Sequence, residues 1–457
     1  MNAPLVTIYI TNYNYGQFIK KAIDSVLNQT FQDFELVIID DGSSDDSKEI
    51  IESYSTLPQV SIIYQQNKGL NVTNNVALRV AKGTFIMRLD ADDFLVPTAV
   101  EKMTALLQSN NDLGLVFPDY YYADEEGAII GEEKRHDFDT EVTLYDQPAH
   151  GACTLIRREN LLFVGGYNES YNCQDGYELW VKFIQHFKVS NIAEPLFYYR
   201  QHGSNLTKNE NRILETRAKI NASYIEKNKH HTDTLAIIPV RGGSGDAAFI
   251  KLGSQTLLER KIRVAESSNH IKQIVVTSPD RTVEQIIKSS FSDKQVLFHH
   301  RDQHMARLNT NLNPVIADIL KMSDLSRNSF QAVALLMVEY PFITATKIDD
   351  AINTMLLFGS DSLIGVRSDN SVFYQHHGDG LHPILNRDKY TKLEREALFK
   401  QVGGINVVKK SIFDQKNEVI TGKIGHMVID QITSLGIFSD FDLTIANHVL
   451  SGQSLAT

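Results

Sequence analysis

Arg88-Leu89-Asp90-Ala91-Asp92-Asp93-Phe94 is the stretch that decides the fold. The apolar run Gly83-Thr84-Phe85-Ile86-Met87 leads into it and reads as a buried strand, with Pro97 beyond it at the start of a helix. Its carboxylates therefore stand at the C-terminal end of a strand, the edge where open α/β sheets bind ligands. Acidic groups crowded there repel one another unless a cation sits among them. Hard oxygen ligands suit Mg²⁺ or Mn²⁺, usually shared with a phosphate-bearing substrate. An isolated Asp-x-Asp is more often a solvated turn. The weight falls on whether the chain supplies the other half of a nucleotide-diphosphate site.

Upstream, Leu5-Val6-Thr7-Ile8-Tyr9-Ile10 is a β-branched run ending in the polar, aromatic Thr11-Asn12-Tyr13-Asn14-Tyr15-Gly16. Phe18, Ile19, Ala22, Ile23, Val26 and Leu27 then recur at helical spacing. Phe34-Glu35-Leu36-Val37-Ile38-Ile39 is a second strand, closed by Asp40-Asp41-Gly42-Ser43-Ser44-Asp45, and a helix runs through Ile50 and Ile51. The pattern predicts a third strand over 60–64 and a helix over 71–81. Such alternation specifies a parallel sheet with helices on both faces. Each strand ends at one edge, so Tyr13, Asp41 and Asp92 should converge on one crevice. Singly, Tyr13 would cap the sheet and Asp40-Asp41-Gly42-Ser43 would be turn chemistry. Their shared edge makes them informative together.

The chain has 457 residues, 42% hydrophobic and 22% charged, which places it among soluble globular proteins of two or more domains. A net charge of −11 argues against nonspecific binding to nucleic acid or anionic membranes. Two cysteines, Cys153 and Cys173, make no disulfide framework, so a cytoplasmic setting is expected, compatible with peripheral association at the inner membrane. The first residues enter a strand directly, and no apolar run reaches bilayer length.

On these motifs, residues 1–209 resemble the family 2 glycosyltransferases, with the GT-A fold. The matching pieces are Val6-Thr7-Ile8-Tyr9-Ile10-Thr11-Asn12-Tyr13-Asn14, Ser25-Val26-Leu27-Asn28-Gln29-Thr30-Phe31, Asp40-Asp41-Gly42-Ser43-Ser44-Asp45 and Asp90-Ala91-Asp92-Asp93. The resemblance implies that Thr11, Tyr13 and Asp41 hold the nucleotide base, Tyr13 by stacking and Asp41 by hydrogen bonding. It implies that Asp90 and Asp92 contact ribose and metal.

The acceptor half follows. His150-Gly151-Ala152-Cys153 is a small-residue stretch suited to close approach by a ligand. Gln174-Asp175 precedes a helix carrying Trp180, the only tryptophan, which should anchor the core. Asp175 is either a helix cap or, as the resemblance implies, the catalytic base; the family often has Glu-Asp where this chain has Gln-Asp. In Tyr198-Tyr199-Arg200-Gln201-His202-Gly203-Ser204, the resemblance implies an Arg200 and His202 lying over the diphosphate and metal. A solvated surface loop is the plain alternative.

Residues 210–231 read as a helical linker. A new strand, Leu235-Ala236-Ile237-Ile238-Pro239-Val240, opens onto Arg241-Gly242-Gly243-Ser244-Gly245, a weak signal for backbone amides facing a phosphate. Further strands at 271–278, 333–338, 362–366, 404–407 and 425–429, with a helix over 348–358, make 232–457 resemble the cytidylyltransferases that form CMP-sialic acid and CMP-Kdo-type sugars. Arg241, Gly242, Gly243, Ser244 and Lys251 would form its nucleotide site. Yet Asp246-Ala247-Ala248 stands where that family carries basic residues, and Gly436 and Phe438 where it carries metal-binding acids. A degenerate domain is expected.

Two doubly wound, Rossmann-like α/β domains in tandem are thus expected. The first should be an inverting, Mg²⁺- or Mn²⁺-dependent glycosyltransferase in bacterial surface-glycan synthesis. It would use a nucleotide-sugar donor, a UDP-sugar first, and a glycan, lipid-linked or protein acceptor. A homo-oligomer is compatible with the sequence. The rivals are a bifunctional enzyme that also makes a CMP-sugar, and a non-catalytic assembly protein.

Overall fold

The computed structural model describes residues 3–140, 142–144, 146, 151–203, 210–227, 231–243, 246–291, 296–306, 311–325, 329–368, 374–376, 381–383, 391–393 and 399–452. The chain divides into two compact units, Met1–Arg217 with Ser371–Ala397, and Ala218–Asn370 with Leu398–Thr457. Among the described residues, no helix is long and apolar enough to cross a membrane.

In the first unit, β1 (Val6–Asn12), α1 (Gly16–Leu27), β2 (Phe34–Asp40), α2 (Ser47–Glu52), β3 (Val60–Tyr64), α3 (Leu70–Val80) and β4 (Phe85–Asp90) alternate as the periodicity predicts. β1 lies parallel between β2 and β4, and β3 extends the sheet beyond β2. Burial on both faces explains why these strands are almost continuously apolar. Val6, Ile8, Ile10, Leu36, Ile38 and Met87 enter one core with Ile19, Ile23 and Val26 of α1. Tyr9, Val37, Ile39 and Ile86 point the other way, onto Ala77 and Leu78 of α3.

Beyond β4 the expected doubly wound sheet becomes a mixed one. The elements are β5 (Phe94–Leu95), α4 (Ala99–Ser109), β6 (Leu113–Ala123), β7 (Ile129–Lys134), β8 (Thr154–Arg157), α5 (Arg158–Phe163), α6 (Asp175–Phe183) and β9 (Lys188–Arg200). β8 runs antiparallel to β4 and β6, and β7 antiparallel to β6. The short 124–128 turn, with Gly127 at φ 90°, is too brief for a parallel crossover. Pro97 stands just ahead of α4, after β5, rather than at its first residue. β9 pairs in parallel with β6 and then reaches β5, where Phe94 opposes Tyr198. That pairing delivers Arg200 and His202 to the acidic turn.

α7 (Glu210–Lys227) carries the division between units. The second unit contains β10 (Thr234–Pro239), β11 (Lys251–Leu252), β12 (Gln255–Thr256), α8 (Leu257–Glu266), β13 (Ile271–Ser278), α9 (Arg281–Ser290), β14 (Val296–His300), α10 (Asn313–Ile319), β15 (Ala332–Leu336), α11 (Ala345–Leu357) and β16 (Ser362–Ser368). Three short strands, β17 (Tyr374–His376), β18 (Leu381–Pro383) and β19 (Thr391–Leu393), belong to the first unit, where β19 pairs with β7. β20 (Phe399–Lys409), α12 (Lys410–Lys416), β21 (Ile424–Val428) and α13 (Asp440–Ser451) complete the second. Its seven-stranded sheet has the order β14-β13-β10-β15-β20-β16-β21. All its pairings are parallel except those of β20, which runs antiparallel to β15 and β16. Ala236 and Ile238 face one core with α8 and α11, and Leu235 and Ile237 the other with α10. β14 was not anticipated, because its His299-His300 end breaks the apolar run.

Candidate active site

Register builds the front edge of the first sheet. Thr11 lies between Ile39 and Asp90, and Asn12 opposite Asp40, so β2, β1 and β4 end side by side. The Thr11 hydroxyl donates to Asp90 Oδ1 at 3.2 Å. Asn12 Nδ2 donates to Asp40 Oδ2 at 2.8 Å and to Ser43 Oγ at 3.0 Å. Ser43 Oγ accepts from the Asn14 amide, and Asn14 Oδ1 from the Ser44 amide. Asn14 sits at φ 59°, a left-handed conformation that Asn tolerates. The loops after β1 and β2 are therefore one hydrogen-bonded unit. Tyr13 projects from it, 48% exposed.

The two aspartates after β2 do different things. Asp40 Oδ1 accepts from the amides of Gly42 and Ser43, at 3.1 and 2.9 Å, which is the turn chemistry that stretch suggests. Asp41 is buried; its Oδ1 accepts from Gln65 Nε2 at 2.7 Å and the Lys68 amide at 2.9 Å, and its Oδ2 from the Gly69 amide at 2.8 Å. Expected to face a nucleotide base, Asp41 first of all anchors the 65–69 loop.

Asp92 and Asp93 point in different directions. Asp92 Oδ2 lies 2.9 Å from His202 Nε2. That imidazole packs against Phe18 and Tyr15, with ring centroids 5.0 and 5.5 Å away. Asp93 turns inward: Oδ1 accepts from the Arg200 amide at 3.0 Å and Oδ2 has no hydrogen-bond partner among the described residues. Burial, with Asp92 and Asp90 adding to it, pushes its carboxyl well above the usual range. Arg200 was expected over a diphosphate, but its guanidinium is buried. Nε donates to the Asp92 carbonyl at 2.8 Å, Nη1 to that of Glu125, and the group covers the faces of Phe18 and Phe94. As placed, Arg200 supports the acidic turn from beneath, and His202 is the side chain beside Asp92. Among the described residues, no group of three or more His, Cys, Asp or Glu is arranged to hold a metal by itself. Ser204 lies outside the described residues.

Asp175 is the first residue of α6, behind Gln174 at φ 61°. Its carboxylate makes no cap; Oδ2 accepts from Arg88 Nη1. Arg88, in the opening stretch but given no role from sequence, is 6% exposed and also pairs with Asp90, Nε to Oδ1 at 2.9 Å. Burial works against its charge, yet Asp175 and Asp90 outweigh it and hold the guanidinium protonated, well above its ordinary value. The signal available in sequence was a lone cation in an apolar strand. Gly151 makes the seat: a Cβ there would collide with the Arg88 guanidinium. The small residues near 151, read as room for a ligand, instead admit this arginine; His150 lies outside the described residues. Trp180 is buried edge-on to Phe117 and Phe138, the anchoring role expected of it.

In the second unit the glycine loop is closed from within. Gly242 and Gly243 have φ of 81° and 97°. The Gly242 amide donates to Asp246 Oδ2 at 2.6 Å and the Gly243 amide to Asp280 Oδ2 at 3.1 Å. Carboxylates thus occupy amides that were expected to face phosphate. Arg241 is exposed, Lys251 is exposed on β11, and Ser244 lies outside the described residues. Arg301, not singled out from sequence, is 3% exposed; Nη2 donates to the Val240 carbonyl, while Nε and Nη1 have no hydrogen-bond partner among the described residues. Gly436 and Phe438 carry no acid, and Phe438 packs edge-on to Tyr340.

The family described as glycosyl transferase family 2 matches residues 7–163. The segment contains Thr11, Tyr13, Asp41, Arg88, Asp90 and Asp92, and stops short of Asp175 and His202. The chain is 34% identical over 205 residues to chondroitin synthase of Escherichia coli, covering 44% of this chain but only 30% of that relative. It is 30% identical over 208 residues to an uncharacterized glycosyltransferase of Methanocaldococcus jannaschii, covering 44% of this chain and 72% of the relative. The chain thus spans under a third of the chondroitin synthase it matches. A crystal structure of S. aureus TarS with UDP-GlcNAc aligns at 18% identity and a TM-score of 0.41, over 48% of this chain and 66% of that one. A score that low supports no inference.

Proposed function

From the premise that the chain belongs to glycosyl transferase family 2, we propose that its first unit transfers a sugar from a nucleotide donor, a UDP-sugar first, to an acceptor hydroxyl with inversion. The observation that carries this is the convergence of Thr11, Asp90 and Asp175 on one sheet edge, with Asp92 paired to His202 beside them. Tyr13, half exposed, would stack on the base. Thr11 and Asp90 face the ribose side, Asp41 shapes the loop beneath the base, and Arg200 braces the acidic turn. Asp92 and His202, 2.9 Å apart, offer one oxygen and one nitrogen donor that would hold a Mg²⁺ or Mn²⁺ together with oxygens of the substrate. Such an ion would neutralise charge on the leaving diphosphate.

Asp175 is the general base. Oδ2 is held by Arg88, and Oδ1 has no partner among the described residues. The acceptor hydroxyl gives its proton to that oxygen as its oxygen bonds to the anomeric carbon. The bond to the diphosphate breaks on the far side, and the electron pair leaves with the nucleotide. One base and no covalent nucleophile make a single displacement.

A relative named chondroitin synthase supports a role in glycan synthesis; the acceptor is proposed to be a glycan, a lipid-linked sugar or a protein. Both cysteines are free and buried, which fits a reducing cytoplasm. The second unit, which covers the expected cytidylyltransferase-like region except 371–397, is proposed as a recognition module without nucleotidyl transfer, since carboxylates accept from the amides of Gly242 and Gly243. A second reading, in which it still takes a nucleotide and makes a CMP-sugar, is favoured by the buried Arg301, whose Nε and Nη1 have no hydrogen-bond partner among the described residues. Thermal-shift scans of the full chain with UDP-, GDP- and CMP-sugars, with and without Mn²⁺, test both. Stabilisation by a UDP-sugar that requires Mn²⁺, followed by transfer to an acceptor, is expected. Stabilisation by CTP alone, with pyrophosphate released on adding a sugar acid, would replace the first reading with the second.

A further inference from the structure

We propose that Arg88 is a positioning residue that sets the Asp175 carboxylate against donor-side Asp90; the inference rests on the glycosyltransferase reading above. One guanidinium bridges the two acids, which lie 85 residues apart in sequence on β4 and α6. Its fork is planar and rigid, so fixing Asp90 at one side fixes the direction in which Asp175 is held at the other. A lysine ammonium carries the same charge without that geometry.

The seat of the guanidinium is built rather than incidental. Gly151 leaves room for it, since any Cβ there would overlap its terminal nitrogens. The main chain beside it is tied down, with the Cys153 amide donating to the Arg88 carbonyl at 2.8 Å. Tyr9 and Tyr167 flank the group as neutral phenols, both kept protonated by burial. Tyr9 is held by Asn74 Oδ1 at 3.3 Å, and the Tyr167 main chain by Asn75 at 2.9 and 2.8 Å. Asp90 and Asp175 are the charged groups facing Arg88. Holding Asp175 by Oδ2 alone leaves Oδ1 for the acceptor.

Arg88→Lys and Gly151→Ala test this in the full chain. The first keeps the charge and loses the fork; the second keeps both and displaces them. Each should lower kcat for transfer at least about tenfold, because misplacement by about 1 Å can cost about a hundredfold, with donor KM changed less than about threefold. In an Asp175→Asn background neither should lower kcat further, and methylguanidinium should restore part of the activity of Arg88→Ala. Full additivity with Asp175→Asn, or losses that follow the folded fraction without rescue, would overturn the positioning role. A denaturation cycle over Arg88→Lys, Asp175→Asn and the double variant reads the contact without activity, and non-additive stabilities are expected. Additive stabilities overturn the Arg88–Asp175 link itself. Intact coupling in a wild type that transfers no sugar from any donor overturns the glycosyltransferase reading, and the positioning role with it.

Discussion

His202 Nε2 lies 2.9 Å from Asp92 Oδ2, although 110 positions separate the two residues. The contact exists because β9 runs past β6 to pair with β5, directly after the acidic turn. Neither residue alone is a metal site. Under the proposed reading the two together would supply half of one, and the substrate's own oxygens the rest.

Asp92→Asn and His202→Ala should therefore each weaken Mn²⁺-dependent UDP binding by at least the roughly 10–100-fold that follows loss of mere supporting partners in metal sites. Metal-independent nucleotide binding should be unchanged. Calorimetry with and without Mn²⁺ measures this, and equal affinity in the variant and the wild type would remove the pair from the metal site.

Asp175→Asn should lower transfer turnover by roughly a hundredfold or more, as positioned acid–base groups usually contribute. Donor affinity should hold, because Asp90 and Thr11 stay in place. The asparagine fills the same space at the start of α6, so the unfolding temperature should move little. Near-normal turnover would return Asp175 to a purely structural part in its pair with Arg88.

Asp246 and Asp280 cap the glycine loop of the second unit, so the wild type should release no pyrophosphate from CTP with sialic acid or Kdo. The double change Asp246→Asn with Asp280→Asn removes two negative charges from amides that can then receive an anion. Gain of phosphate or CTP affinity in a thermal-shift titration is the expected result. Pyrophosphate release by the wild type would show the capped loop to be competent.

Lys261 is fully buried, and its Nζ donates to the Tyr340 carbonyl at 2.8 Å. Burial lowers its pKa to about 7, against the pull of Glu339 and with a push from Arg260. The folded form thus binds fewer protons than the unfolded one between that value and the unfolded lysine pKa, so stability should rise with pH across that window. Below about pH 7 the ammonium is charged in both states and its full burial cost is present. Lys261→Met should raise the melting temperature at pH 6–7 and lose the advantage towards pH 10, with an upper bound of about 5 kcal/mol. Scanning calorimetry across pH gives the crossover; a constant difference would mean that lost packing outweighs the charge.

Strand identity was legible in sequence because β1, β2 and β4 are buried on both faces, which leaves apolar runs that need no partner to be recognised. The acidic turn, the Asp40 turn and the helix α1 were legible for the same local reason: each follows from residue type at short spacing. What sequence could not determine is where a polar side chain spends its bonds. Asp41 and Arg200 have the composition of ligand-binding groups, yet the fold directs them to the 65–69 loop and to main-chain carbonyls. Arg88 was given no role from sequence, and only the placement of α6 beside the end of β4 makes it the bridge between Asp90 and Asp175. The loop amides of Gly242 and Gly243 were open to phosphate on paper, and Asp280, brought in after β13, helps close them. Burial and alternation are short-range properties written along the chain; the pairing of buried charges depends on which strand ends the sheet order sets side by side.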